Sequence, residues 1–392
     1  MRSGLRFLGA ALVVALAFAF GVFLTRSDEE GTSAAAPPRP VRTVKLVDEV
    51  RDELTSSYYR WIAPSVLDRP RVSEILEGLD DPHTSYLTAA QLASLQERTD
   101  GSYSGIGLTV GPVGRGLVVT SAFPGPARDA GIREGDIIVR IEGRPARELT
   151  FEDALGLIKG ERGTTVSLVL LRPGKGRLRL DVVRREVKVP SISAHLMNVK
   201  QHKVAYIRVF SFAAGSSQRI DRATGRLVEK GGVEAAVIDL RDNPGGLLSE
   251  AVAAVSVYLE EGVVCRTAGL HEDGRTFRVT GTATHGSLPL VVLVNSNTAS
   301  AAEIVAAALH DHDRATLVGE RTFGKASVQT IAQLSNGGAL KLTTAKYVTP
   351  AGADITGRGI EPPIAAVDDP LTRRDEALQL ARGSLVELLA DG

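Results

Sequence analysis

The sequence contains only one cysteine, Cys265, among its 392 residues. A single cysteine excludes an internal disulfide and any zinc cluster built from several cysteines. Cys265 lies in the strand-like run EGVVCRTAG. This position favours a buried and inert thiol over a Cys–His nucleophile.

The sequence also lacks an excess of charge of either sign, because 46 basic residues balance 46 acidic ones. No overall field therefore favours nucleic acid or an acidic partner. A hydrophobic fraction of 43% with 40 glycines is typical of a loop-rich globular protein and not of a disordered chain. The length predicts two or three domains.

The N-terminus carries an uncharged apolar run of 18 residues, FLGAALVVALAFAFGVFL, behind the basic start MRSGLR. That length approaches a short membrane span, while small residues at Ala15, Ala17 and Ala19 would permit cleavage. Residues 1–25 are therefore predicted to be a signal sequence or a retained membrane anchor, with the anchor favoured. The basic start predicts that the chain beyond Thr25 lies outside the cytoplasm. Residues 26–40 have the composition of a flexible linker.

Residues 41–99 carry apolar positions at helical spacing and predict a helical N-terminal arm, which we expect to support a homo-oligomer. His83, in the stretch DDPHTSYL, has the side chain of a metal ligand or a base. Its turn-like surroundings favour a structural role instead.

Residues 100–186 combine short strands, glycine turns and one amphipathic helix at TFEDALGLIKG. The stretch YSGIGL, followed by AGIREGDIIVRIEG, resembles a PDZ domain. That resemblance implies binding of a peptide's free C-terminus by the glycine loop and the helix. The residues expected to bind the peptide are Tyr103, Gly105, Ile106, Gly107 and Leu108.

Residues 187–370 alternate buried-strand patterns with helices, which predicts an α/β core with sites at the turns after the strands. In VNSNTASAAEIV, one such strand ends and an alanine-rich helix begins at Ser300. Ser300 and Glu303 fit a helix capping box, and on pattern alone this interpretation is favoured. A serine at the head of a helix also lies beside free amides that could stabilise an oxyanion. A hydroxyl committed to capping would be a poorer nucleophile.

An activated serine requires a base. His310 and His312 lie about 15 Å along the serine's own helix and are too remote. Lys325, in VGERTFGKASVQ, is the other candidate, because a buried lysine can lose its charge near neutral pH. Gln329 falls on the same face of the following strand and could orient the amine. A surface lysine is the alternative for this segment taken alone.

Four motifs occur in order behind the PDZ-like unit: RDNPGGLL, NSNTASAAEI, GERTFGKASVQ and YVTPAGADITGRGIEPP. Together with DDPHTSYL they resemble the carboxyl-terminal processing peptidases, which are serine proteases with a Ser–Lys dyad. The resemblance implies that Ser300 is the nucleophile, Lys325 the general base and Gln329 the residue that orients it. It assigns the oxyanion-binding amides to Gly246 and Ala301.

The resemblance implies a multidomain α/β fold: membrane anchor, helical arm, PDZ-like β-rich domain and a ClpP/crotonase-like protease core, with a C-terminal helical segment at residues 371–392. It also implies a serine endopeptidase of the bacterial cell envelope that cleaves proteins near their C-termini without metal or organic cofactor. The alternative is a catalytically silent PDZ scaffold. Some members couple the two domains through an arginine late in the PDZ unit. Lys159 stands at that point here, with Arg162 close by.

Overall fold

The computed structural model describes residues 41–271, 273–281, 283–368 and 374–390. The predicted anchor and linker, residues 1–40, lie outside the described residues. In the part of the chain that the structure describes, no helix is long and apolar enough to cross a membrane. From Leu46 onward the described residues form one compact unit.

The segment predicted as a helical arm folds against strands of the C-terminal α/β part of the chain. Its elements are α1 (Val41–Ser57), α2 (Pro64–Leu67), α3 (Val72–Gly78), β1 (Ser85–Leu87) and α4 (Ala89–Asp100). Leu54 and Ile75 are buried in one cluster with Leu340 and Leu342, which lie far along the chain. One apolar face of this N-terminal segment is therefore already buried against a later part of the same chain.

The second segment forms an antiparallel β-structure whose main sheet has two edge strands. Its elements are β2 (Ser102–Gly105), β3 (Leu108–Val113), β4 (Gly116–Ala122), α5 (Pro126–Asp129), β5 (Ile137–Ile141), β6 (Arg144–Pro145), a 3-10 turn (Ala146–Glu148), α6 (Phe151–Ile158), β7 (Thr165–Arg172), β8 (Gly176–Val183) and β9 (Arg185–Lys188). Its main sheet runs β3-β4-β5-β7-β8, with β6 paired to β5, so β3 is an edge strand. β2 pairs with β9 and brings the two ends of the segment together.

The third segment is the α/β core. Its elements are β10 (Ile192–Val199), β11 (His202–Val209), α7 (Ser216–Gly231), β12 (Ala235–Asp239), α8 (Leu248–Tyr258), β13 (Val263–Ala268), β14 (Arg275–Arg278), β15 (Leu290–Val294), α9 (Ala301–Asp311), β16 (Thr316–Gly319), β17 (Ser327–Gln333), β18 (Ala339–Val348), β19 (Ile364–Ala365) and α10 (Glu376–Ala390). Its main sheet runs β10-β11-β12-β15-β16-β19 and is parallel from β11 onward.

Three neighbouring parallel strands of this sheet set the position of the predicted site. Every residue of β12 and β15 is buried, as expected for strands covered on both faces. The carboxyl ends of β12, β15 and β16 lie side by side. The chain that leaves them leads to Gly246, Ser300 and Lys325 respectively. Ligand sites of parallel α/β sheets lie at this edge.

A second sheet, in the order β1-β18-β13-β14 with β17 paired to β18, carries the residue predicted to orient the base. Gln329 lies on β17 opposite Thr343 of β18, next to a register irregularity after Val328. The N-terminal segment contributes β1 to this same sheet, where it pairs with β18.

Candidate active site

Ser300 is held in a strained turn directly before α9. Its backbone has φ 57° and ψ −120°, a conformation that residues with side chains seldom adopt. Strained strand-to-helix turns of this kind expose nucleophilic serines in α/β hydrolases. Ser300 and Glu303 are in capping-box arrangement, in which Ser300 N donates to Glu303 Oε2 at 2.8 Å. The Ser300 hydroxyl faces the amide of Glu303 without a well-formed hydrogen bond to it, so the cap engages this hydroxyl only loosely and leaves it available as a nucleophile.

Glu303 joins the serine turn to the lysine loop. Its side chain is fully buried. Oε2 accepts from Ser300 N and also from Lys325 N at 2.9 Å. Oε1 accepts from Gly324 N and from the Thr322 hydroxyl, each at 2.6 Å. The sequence predicted a helix cap at Glu303, but it did not predict that the same carboxylate fixes the loop of the predicted base.

Tyr347 forms a second bridge between the same two residues. Its hydroxyl lies 3.1 Å from the carbonyl oxygen of Ser300 and 2.9 Å from that of Lys325. The ring is 1% exposed. Two independent side chains thus bind the main chain of both Ser300 and Lys325, which fixes their separation.

The Lys325 side chain points to Gln329. Nζ donates to Gln329 Oε1 at 3.1 Å. Burial, together with repulsion from Lys341, lowers the pKa of Lys325 to about 8. An appreciable fraction of the amine is therefore neutral near neutral pH, as a general base requires. Among the residues that the structure describes, no hydrogen bond joins this amine to the Ser300 hydroxyl.

The glycine turn after β12 leaves one of its amides outside the bridge that it forms with Phe212. Phe212 N donates to Gly245 O at 2.9 Å, and Leu247 N donates to Phe212 O at 2.8 Å. These two bonds make a parallel bridge between Phe212 and Gly246. In a parallel bridge the N–H of the middle residue points away from its partner. The Gly246 amide is therefore directed away from Phe212 and is not used by the bridge.

Gly245 allows this turn to approach the head of α9. A Cβ at Gly245 would lie 2.8 Å from both Ala299 O and Ala301 N, so a larger residue would overlap the serine turn. Asn243 fastens the two turns together: its side-chain Oδ1 accepts from Gly245 N, and its carbonyl accepts from Ala299 N, both at 2.9 Å. Gly246 and Ala301 thus lie in adjoining turns. Asn243 belongs to the motif RDNPGGLL, but nothing in the local pattern marks it as the residue that joins the two turns.

The PDZ loop has its amides at the open edge of the sheet. Phe123 N donates to Gly107 O, which makes Leu108 and Ala122 a pair without mutual hydrogen bonds. The Leu108 amide therefore points outward from β3. Burial raises the pKa of the Tyr103 phenol, while the Gly107 and Leu108 amides act to lower it, so both amides lie near the phenol oxygen. A carboxylate would use the same donors.

The remaining predicted peptide-binding residues differ in whether a bound peptide could reach them. Ile106 is fully buried in the core of this unit, so its side chain is not available to a peptide. Gly105 lies under the Tyr103 ring, since a Cβ there would be 2.7 Å from Tyr103 Cε2. Gly107 has φ 84° and shapes the loop.

Lys159 connects the PDZ unit to α4 of the N-terminal segment. Its Nζ lies 2.6 Å from Glu97 Oε2 and 5.2 Å from the centre of the Tyr103 ring. Arg162 borders a nearby cleft of about 410 Å³ whose lining also includes Glu97 and Tyr103. Both basic residues considered for domain coupling are therefore found beside α4.

Comparison with known proteins gives the family of this chain. The model for peptidase family S41 matches residues 203–366, and a PDZ domain model matches residues 118–172. The carboxy-terminal processing protease CtpA of Bacillus subtilis is 31% identical over 93% of this chain and 78% of its own length. The chain belongs to peptidase family S41.

Other relatives of this S41 peptidase agree. A carboxyl-terminal-processing protease of Picosynechococcus is 37% identical over 76% of this chain and 73% of its own. The solved structure of the photosystem II D1 C-terminal processing protease is 30% identical and covers 86% of this chain and 96% of its own, with a TM-score of 0.53. The chain is therefore a serine protease of the carboxyl-terminal processing type with a PDZ domain. The alternative of a silent PDZ scaffold is not supported.

Proposed function

We propose that this S41 peptidase cleaves protein substrates near their C-termini with a Ser300–Lys325 dyad. The observation that carries the proposal is the buried Glu303 carboxylate, which binds the main-chain amides of both residues through one oxygen. That arrangement holds a serine in a strained turn close to the loop of a lysine whose pKa is lowered to about 8. A nucleophile paired with a base in this way is the requirement for covalent catalysis at neutral pH.

The reaction then needs only groups of this chain. Neutral Lys325 takes the proton of the Ser300 hydroxyl as Oγ attacks the scissile carbonyl carbon. The amides of Gly246 and Ala301 bind the oxyanion. The C–N bond breaks as the Lys325 ammonium gives its proton to the leaving amine. Water, deprotonated by Lys325, then attacks the ester, which releases the new C-terminal acid and restores Ser300.

Gln329 orients the base in this scheme. Its Oε1 accepts a hydrogen bond from the amine whether that amine is neutral or charged, because an amide oxygen is only an acceptor. This contact directs the remaining lone pair of the neutral amine away from Gln329. We infer that the Lys325 side chain rearranges to bring the amine to the Ser300 hydroxyl during the reaction, since its described hydrogen bond is to Gln329.

The PDZ unit would recognise the substrate's free C-terminus. The peptide would add as a strand to the open edge at β3, and its carboxylate would take the outward amides of Gly107 and Leu108. Tyr103 supports this assignment, because both amides lie near its phenol oxygen and act to lower the pKa of that phenol. The carboxylate would displace that phenol. The Tyr103 ring beside Lys159 offers a route by which displacement would reach α4.

We also propose that residues 1–25 anchor the chain in the membrane and that the peptidase acts outside the cytoplasm. The apolar run behind a basic start supports this location. A homo-oligomer through the N-terminal segment completes the proposal. Membrane fractionation tests the anchor, and recovery of the chain in the soluble fraction would contradict it. Light scattering of the detergent-solubilised chain tests the homo-oligomer, and a monomeric mass would contradict it.

The deciding experiment measures cleavage of a protein with an apolar free C-terminus. Ser300→Ala and Lys325→Ala are each expected to abolish cleavage, while a metal chelator leaves it unchanged. Ser296→Ala, an exposed serine of the same loop, is the matched control and is expected to cleave normally. Turnover that persists in either dyad variant would refute the mechanism. In cells, a Ser300→Ala strain should accumulate C-terminally extended proteins, which would identify the substrates.

A further inference from the structure

The far side of Gln329 is held by a turn that lies 246 residues earlier in the chain. Gln329 Nε2 donates to the main-chain carbonyl of His83. A carbonyl can only accept, so this bond fixes which end of the Gln329 amide faces it. The oxygen end must then face Lys325 Nζ, as observed at 3.1 Å. The N-terminal segment therefore sets the amide orientation on which the Lys325 contact depends.

Asp81 shapes the turn that presents this carbonyl. Its Oδ1 accepts from His83 N at 2.9 Å, and its Oδ2 accepts from the Thr84 hydroxyl at 2.7 Å and the Tyr58 hydroxyl at 3.3 Å. Burial acts to raise the pKa of Asp81, but hydrogen bonds from Thr84 and His83 lower it below its ordinary value. The carboxylate remains ionised, so both of its oxygens remain acceptors.

Thr84 ties the same turn to the strand opposite Gln329. Thr343 N donates to Thr84 Oγ1 at 3.1 Å, and the two hydroxyls are 3.3 Å apart. Thr343 is the cross-strand partner of Gln329. Both threonines are buried. The His83 carbonyl is thus fixed relative to the cross-strand pair that Gln329 forms with Thr343.

We infer that Asp81 is a positioning residue of the peptidase: it holds the His83 carbonyl, which orients Gln329, which in turn orients the Lys325 amine. The inference rests on the proposed dyad and extends it into the N-terminal segment. In this inference the N-terminal segment contributes to catalysis through the main-chain carbonyl of His83 and not through the His83 imidazole.

The test is a double-mutant cycle between Asp81 and Gln329 on the full chain. We expect Asp81→Ala and Gln329→Ala each to lower kcat by about 10- to 100-fold with little change in KM, because they misplace the base but leave the peptide contacts intact. The double variant is expected to be no slower than the slower single variant, since both changes break one chain of contacts. Rates are compared at pH 9.5, where the wild-type amine is neutral, so that a lower kcat reports position and not protonation.

Asp80→Asn is the matched control for Asp81→Asn, because it makes the same chemical change at the exposed neighbouring residue. It is expected to retain wild-type kcat. Asp81→Asn keeps one acceptor for His83 N and should retain a higher kcat than Asp81→Ala. It also serves as the folded variant if Asp81→Ala does not unfold cooperatively on heating.

Three outcomes would overturn the inference. Losses that multiply in the double variant would show that Asp81 acts independently of Gln329. An effect of Asp81→Asn confined to KM would show that it acts on substrate binding. Gln329→Ala with full kcat would remove both this inference and the orienting role of Gln329, while inactivity of Ser300→Ala and Lys325→Ala would still support the dyad.

Discussion

Replacing Lys325 with methionine should destroy activity and at the same time stabilise the fold. The change removes the buried amine and keeps an apolar stem of similar length. The pKa of this amine falls from 10.5 to about 8 on folding, chiefly through burial. At ~1.36 kcal/mol for each pKa unit, the charged amine destabilises the folded state by ~3 kcal/mol. Loss of the Gln329 hydrogen bond offsets ~1 kcal/mol, which leaves a net gain of ~2 kcal/mol.

The sign of this effect depends on pH. Below pH 8 the folded and unfolded chains both hold the proton, so the full penalty applies to the wild type. Between pH 8 and 10.5 only the unfolded chain holds it, and wild-type stability rises with pH. The advantage of Lys325→Met should therefore be largest below pH 8 and shrink steadily above it.

Urea unfolding followed by circular dichroism measures this gain at pH 7 and pH 9.5. Ser300→Ala serves as the parent chain, which prevents self-cleavage during the measurement. Lys175→Met, at an exposed lysine of the β7–β8 turn, is the control and should change stability little at either pH. A destabilisation by Lys325→Met that is the same at both pH values would refute a buried amine with a lowered pKa.

Three further results are expected. kcat/KM should rise with pH through about 8, as Lys325 loses its proton, and a midpoint near 6.5 in the pH–rate profile would indicate a histidine base instead. Glu303→Gln should lower the free energy of unfolding by ~2–4 kcal/mol and should lower kcat by more than 10-fold. The reason is that a glutamine amide cannot accept hydrogen bonds from all four donors that face the carboxylate. Urea unfolding and steady-state kinetics measure the two effects, and an unchanged kcat would contradict the prediction. Tyr103→Phe should bind a peptide with a free C-terminus more tightly but leave the affinity for the amidated peptide unchanged, as calorimetry would show.

Local patterns were sufficient to predict the elements that carry the dyad. Two continuous apolar runs become β12 and β15, whose residues are all buried, and the alanine-rich run after Ser300 becomes α9. The turns that follow these strands need glycine and small residues because they approach each other closely, and a Cβ at Gly245 would prevent that approach. Such features are local, so spacing and residue type indicate them.

Contacts between distant segments could not be predicted in the same way. The His83 carbonyl that receives Gln329 is a main-chain acceptor, which every residue possesses and no motif marks. The imidazole of His83 is visible in the sequence as a candidate ligand or base, whereas the role of its backbone carbonyl is not. Likewise, Glu303 fits a local capping box, whereas its bonds to Thr322 and Lys325 depend on how β16 and its loop return to α9.

Labelling with a fluorophosphonate tests the central claim most directly, because the reagent reacts with an activated serine and needs no knowledge of the substrate. Mass spectrometry should find the adduct on Ser300, with a labelling rate that rises with pH through about 8. Lys325→Met should slow labelling by about 100-fold or more, the usual contribution of a general base. Equal labelling rates in Lys325→Met and wild type, or an adduct on another serine, would contradict the dyad.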